Sequence, residues 1–204
     1  MRLRHAAAVV SAAILVSLSL GAPARAEDPD PCAPSWVGVT LFGGAGSDVM
    51  VGGPGNDTFF GLGGDDLLIG NGGDDVLVGG DGDDQILGGD GSDTISGGGG
   101  MDTLSGNLCG DDVSGDEGND FAQGNEGPDT VQGNEGDDVL QGNQGRDLVQ
   151  GGYGDDDVFG GDGMDDLYGG PGVDDLVGGA DPDFADGGLA FDTTCSAEVL
   201  VACP

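Results

Sequence analysis

A nine-residue period runs unbroken from Gly43 to Cys195, in seventeen copies without an insertion or deletion. The opening copies read GGAGSDVMV, GGPGNDTFF, GLGGDDLLI and GNGGDDVLV. A unit this short cannot bury its own apolar side chain, so each copy must stack on its neighbours. An acidic, glycine-rich composition is the usual mark of disorder. Disorder requires composition alone, however, and gives no reason for strict register.

Position 1 is glycine in all seventeen copies, from Gly43 to Gly187, and position 4 is glycine in fourteen, the exceptions being Cys109, Asp181 and Ala190. Position 2 is Gly or Asn in fifteen, Leu62 and Asp116 departing. These residues adopt positive φ at least cost, so the first half of each copy reads as a tight turn. Position 8 is apolar in sixteen of the seventeen copies, from Met50 and Phe59 to Ala185, with Thr194 last. Positions 7 to 9 therefore read as a very short strand with its middle side chain inward. One apolar residue in nine makes no helical stripe, and the glycines would each cost about 1 kcal/mol inside a helix.

Position 6 is aspartate in every copy: Asp48, Asp57, Asp66, Asp75, Asp84, Asp93, Asp102, Asp111, Asp120, Asp129, Asp138, Asp147, Asp156, Asp165, Asp174, Asp183 and Asp192. Stacking lines these carboxylates into columns, and columns of carboxylate need cations. Calcium takes 6–8 hard oxygen ligands at about 2.3–2.6 Å, and bare glycine turns expose carbonyls to it. No segment has the spacing of an EF-hand loop. A phosphate cradle would bring its anion against an aspartate in each loop, with no lysine in the chain to offset it.

The pattern G-G-x-G-x-D-x-U-x over residues 43–195 resembles the calcium-binding repeat of RTX (hemolysin-type) proteins. The resemblance implies an all-β, right-handed parallel β-roll with two repeats per turn and two facing sheets. It implies multiple Ca2+ ions between loops stacked two repeats apart, held by Asp48 through Asp183 and by backbone carbonyls. Two loop columns of nine and eight repeats give at most fifteen interloop sites. Repeats sixteen and seventeen lose the position-4 glycine, so the Asp183 and Asp192 loops are expected to hold calcium least well.

Residues 1–26 read as a cleaved signal peptide: basic Met1–His5, apolar Ala6–Ala22, then Ala24-Arg25-Ala26 as an A-x-A site. No other segment is apolar enough to span a bilayer. Cleavage would leave 39 acids against one base, Arg146, a formal charge of −38. Nucleic acid and anionic membranes are therefore poor partners. Residues 27–42 read as a leader and N-terminal cap, with Trp36–Phe42 a degenerate strand, and 196–204 as a C-terminal cap. Cys32, Cys109, Cys195 and Cys203 make an even count, which in an exported chain implies two disulfides among three connectivities. Cys195 and Cys203 are close in sequence and would staple the tail. Cys32 with Cys109 then follows by elimination.

The sole histidine, His5, lies in the leader, so histidine-dependent triads and zinc-peptidase motifs are excluded from the rest. Two-carboxylate glycoside hydrolysis competes with a better use of every position-6 Asp. The expectation is a secreted, extracellular, non-catalytic calcium-binding β-roll, structural or surface-associated. The alternative is a calcium-dependent adhesin for a cell surface or polysaccharide.

Overall fold

In the computed structural model, residues 32, 36–188, 194–196 and 199–202 are described. They form nineteen strands and no helix, every pair parallel. Successive strands go alternately to a ten-stranded and a nine-stranded sheet, and each pairs with the strand two places on. The result is a parallel β-solenoid of about eight turns. It is the β-roll that the family resemblance implies, and it is consistent with a right-handed coil. Ten strands spaced about 4.8 Å apart make the roll roughly 43 Å long.

The strands are longer than the sequence reading gave. Val76–Asp81, Thr94–Gly99 and Thr130–Glu135 each run six residues. Each joins positions 7 to 9 of one copy to positions 1 to 3 of the next. Glycine has little intrinsic preference for strands, but its backbone groups must still be paired. The copy eighteen residues away supplies those pairs in register, as with Val76 to Thr94 and Gly80 to Gly98.

Side chains alternate along each strand, and positions 6, 8 and 1 all turn inward. Position 8 supplies the apolar core: Phe59, Leu68, Leu77, Ile86 and their counterparts as far as Ala185 are fully buried, and Met50 nearly so. The chain then turns at positions 2 and 4, where φ is positive in most copies. Asn71 (φ 77°), Asn125 (φ 86°) and Gly82 (φ 135°) are examples.

Trp36–Phe42 lies parallel on Gly55–Gly63, with the Phe42 ring stacked on Phe60 at 5.1 Å and Val39 and Leu41 packed against the core. At the far end, Thr194–Ser196 pairs with Asp175–Ala180, and Val199–Ala202 pairs with Phe184–Gly188. Cys32 is bonded to Cys109, with Cα atoms 5.7 Å apart across a sequence separation of 77. Cys109 occupies the position-4 turn of the eighth repeat at φ 88°. The bond thus fastens the chain just ahead of the first strand to the middle of the roll. The leader 1–26, Cys203 and the side chain of Cys195 lie outside the described residues.

Reduction should loosen this tie measurably. Closing a loop of 77 residues removes unfolded-state entropy worth about 4 kcal/mol in the chain-entropy account. The urea midpoint of the folded chain is expected to fall by a corresponding amount in dithiothreitol. An unchanged midpoint would show that the N-terminal strand holds without the bond.

Candidate metal centre

The position-6 aspartates form two columns inside the roll, one along each edge where the sheets meet. Asp48 is 8 % exposed, and Asp57 through Asp183 are 4 % or less. Their burial follows from parity, because position 6 lies two residues before the inward position 8. From Asp66 to Asp183, each Oδ1 accepts a hydrogen bond from the backbone N–H of the aspartate one turn earlier. Asp66 N–H donates to Asp84 Oδ1 at 2.7 Å, and Asp84 N–H donates to Asp102 Oδ1 at 2.7 Å. The same bond recurs from Asp48 onto Asp66 at one end to Asp165 onto Asp183 at the other. The aspartate carbonyls are occupied as well. Asp84 C=O, for example, accepts from the Thr103 N–H at 2.8 Å.

The second carboxylate oxygen behaves differently. Oδ2 of Asp48 and Asp57 accepts the N–H of Gly44 (2.6 Å) and Gly53 (2.8 Å). From Asp66 to Asp165, Oδ2 is buried with no hydrogen-bond partner. In each of these repeats it lies against the position-1 glycine. A Cβ built on Gly79 would overlap Asp84 Oδ2 and the Gly97 carbonyl oxygen of the next turn. The same two oxygens crowd Gly61, Gly70, Gly133 and Gly151.

This corrects the sequence reading of position 1. No position-1 glycine has positive φ. Glycine is needed there because a carboxylate oxygen and a backbone carbonyl share the space a side chain would take. Periodicity along the strand, counted back from position 8 and forward to position 1, is the signal that could have found it.

Burial of unpaired carboxylates shows in their acidity. Removal from water pushes Asp75 and Asp111 from the ordinary value of 3.8 up to about 8. The hydrogen bond from the preceding turn opposes the rise, and neighbouring carboxylates such as Asp93 add to it. Asp93, Asp102, Asp147 and Asp156 reach about 7, and Asp84, Asp129 and Asp138 about 6, with loss of water the largest cause throughout. Asp66, Asp120 and Asp165 shift upward for the same reason. A buried carboxylate must be neutralised by a proton or paired with a cation.

The donor set tests which cation fits. Among the described residues no three His, Cys, Asp or Glu side chains gather into one cage. Carboxylates come one per turn, so a bound ion must complete its shell with backbone oxygens. The Gly97 carbonyl beside Asp84 Oδ2 is one of these. An all-oxygen shell mixing carboxylate and carbonyl donors suits calcium, which accepts irregular geometry. It suits magnesium poorly, which demands a tight octahedron, and zinc hardly at all.

Stacked turns around oxygen-lined, buried aspartate columns define a cation-binding β-solenoid. The chain belongs to the RTX calcium-binding nonapeptide repeat family, whose four-copy model matches in overlapping windows that start at residue 40 and end at residue 193. No curated protein matches it. The family binds calcium and is generally non-catalytic.

Two outcomes follow from this geometry. Gly79→Ala should destabilise the roll by more than about 2 kcal/mol through overpacking. Gly99→Ala, where a new Cβ meets nothing within 4 Å, should stay within about 0.5 kcal/mol. Urea midpoints of the two variants check this. The second outcome concerns pH. Folded-state values above 3.8 mean that the metal-free roll binds more protons than the unfolded chain between about pH 4 and about pH 8. Its stability is therefore present at low pH and lost as pH rises through that window. In excess chelator, circular dichroism should show more β-structure at about pH 5.5 than at about pH 8.

Proposed function

We propose that this is an exported, non-catalytic protein that folds around multiple Ca2+ ions and serves a structural or surface-associated role outside the cell. The observation that carries the reading is the pair of buried aspartate columns whose Oδ2 atoms, from Asp66 to Asp165, have no partner within the protein. Asp48, Asp57, Asp66, Asp75, Asp84, Asp93, Asp102, Asp111, Asp120, Asp129, Asp138, Asp147, Asp156, Asp165, Asp174 and Asp183 are the carboxylate ligands in this reading, with glycine-turn carbonyls completing each shell. Bound calcium supplies the positive charge that lets these groups remain both buried and ionised.

Folding and metal binding are then one process. The core is a single inward side chain per repeat, and without metal the columns set like charges one strand spacing apart. A polymer of this charge leaves the cell unfolded and meets extracellular calcium only afterwards. The Cys32–Cys109 bond accords with an oxidising compartment. The chain's only histidine, His5, is in the proposed leader, which leaves the rest without a histidine for acid–base catalysis. The adhesin reading has its own support in a groove on the outer face of the nine-stranded sheet.

Calcium titration of the mature chain tests the proposal. Far-ultraviolet circular dichroism should change from largely unfolded in chelator near neutral pH to β-rich at about 10⁻⁴–10⁻³ M calcium, with magnesium a poor substitute. A well-dispersed amide spectrum in excess EDTA at that pH would overturn it. Asp84→Ala should raise the calcium midpoint more than Asp183→Ala. The repeat around Asp183 carries Asp181 at φ 72° in the turn position that glycine fills in fourteen of the seventeen copies. Equal shifts would show that the terminal loops bind as well as the middle ones.

A further inference from the structure

The outer face of the nine-stranded sheet carries a groove of about 630 Å³ that crosses five strands. Its floor is the row of position-2 residues Asn71, Gly89, Asn107, Asn125 and Asn143, each in register with the next. One wall begins with Ile69 and Leu87. The other carries Asp90, Leu108, Glu126 and Gln144, again in register. Beside the row, Gln123 donates from Nε2 to Gln141 Oε1 at 2.7 Å. The groove thus repeats one carboxamide per strand over most of its length, at a spacing of about 4.8 Å.

These amides are not needed for the fold. Positive φ at position 2 is satisfied by glycine, which stands there in Gly89, Gly161 and Gly179 of the same row. Three amide groups are tied to the protein. Asn71 Nδ2 donates to the Gly52 carbonyl, Asn107 Nδ2 to the Ser105 carbonyl, and Asn125 Nδ2 to Ser105 Oγ. Asn143 Nδ2 is buried with no acceptor. Asn71, Asn107, Asn125 and Asn143 all line the groove.

We infer that this groove binds a neutral, extended, hydroxyl-bearing polymer, a linear β-linked glycan, laid along the axis of the roll. The inference rests on the calcium-folded state proposed above. Three features choose the occupant. Spacing is the first: a pyranose unit of an extended β-linked chain advances by about one strand spacing, so successive sugars meet successive amides. An extended peptide advances about 3.3 Å per residue and falls out of phase at once. Charge is the second: Asp90 and Glu126 on one wall and the acidity of the whole chain repel anionic polymers, while accepting hydrogen bonds from hydroxyl groups. Surface chemistry is the third, since Ile69, Leu87 and Leu108 offer apolar contact to the C–H faces of sugar rings.

Isothermal calorimetry in saturating calcium tests this, with cellohexaose as the extended probe and maltohexaose as the curled one. Circular dichroism on the same samples reports whether the roll is folded. Cellohexaose should bind, and maltohexaose should bind distinctly more weakly. The double variant Asn107→Gly/Asn125→Gly keeps the backbone conformation while deleting two amides. It should weaken cellohexaose binding by about tenfold with the β-signal unchanged. Absence of binding by a β-rich sample, equal binding of both sugars, or an unaffected double variant would each overturn the inference. A sample that stays unfolded in calcium would instead overturn the calcium reading on which it rests.

Discussion

The inward positions of the repeat depend on one hydrogen bond repeated up the roll, from a backbone N–H at position 6 to the Oδ1 of the aspartate one turn later. That bond fixes the stagger between turns and draws the carboxylate indoors. Once the carboxylate is indoors, Oδ2 has nowhere to point except at the position-1 glycine, which must then lack a side chain. The carbonyl of the following turn closes on the same spot. Glycine at position 1, aspartate at position 6 and an apolar residue at position 8 are therefore one constraint seen from three places.

That arrangement is a poor solution for a metal-free protein. A buried carboxylate with one satisfied oxygen lies well above its usual acidity range, and its neighbours up the column raise it further. An apolar side chain in place of an aspartate would remove the buried charge but leave the backbone N–H of the preceding turn without an acceptor, so the carboxylate is kept at the expense of its own desolvation. In the proposed reading, what aspartate adds is dependence: a fold whose stability is set by the cation its carboxylates hold. In the function proposed above, a thin core and strong self-repulsion, weaknesses in an ordinary domain, are the means by which folding waits for calcium.

Much of this was legible in the residues, and the rest was hidden for definite reasons. The period gave the solenoid, because no other architecture accommodates one apolar residue in nine. The turns at positions 2 and 4 were legible because Asn and Gly are the residues of positive φ, and Asn71 and Gly82 adopt it. The role of Gly61 or Gly79 was not. A glycine excluded by sterics and a glycine required by φ look identical in a sequence, and only coordinates separate them. Strand length was misread because glycine suppresses the strand signal, although Gly79 and Gly80 continue the ladder begun at Val76. The pairing of Cys32 with Cys109 came from elimination alone. No local pattern indicates that the chain ahead of the first strand meets the eighth repeat.

The inward positions hardly vary from end to end, whereas the outward ones do. Position 9 is aromatic or aliphatic in Phe42, Phe60 and Val78, becomes Ser96 and Ser114, then Gln132 and Gln150 along the ten-stranded sheet. The nine-stranded sheet follows the same course from Ile69 and Leu87 to Gln123 and Gln141. Nothing inside the roll sets this gradient, since Leu77 and Val149 are equally buried beneath very different exteriors. The calcium-binding interior is common to a large class of repeats. Whatever distinguishes this protein must be written on its outside, where side chains can change without disturbing the aspartate columns. The glutamine pairs at 2.7 and 3.0 Å and the asparagine row lie in the same central turns. It is there that a rigid backbone spacing is presented to solvent as a regular array of amides.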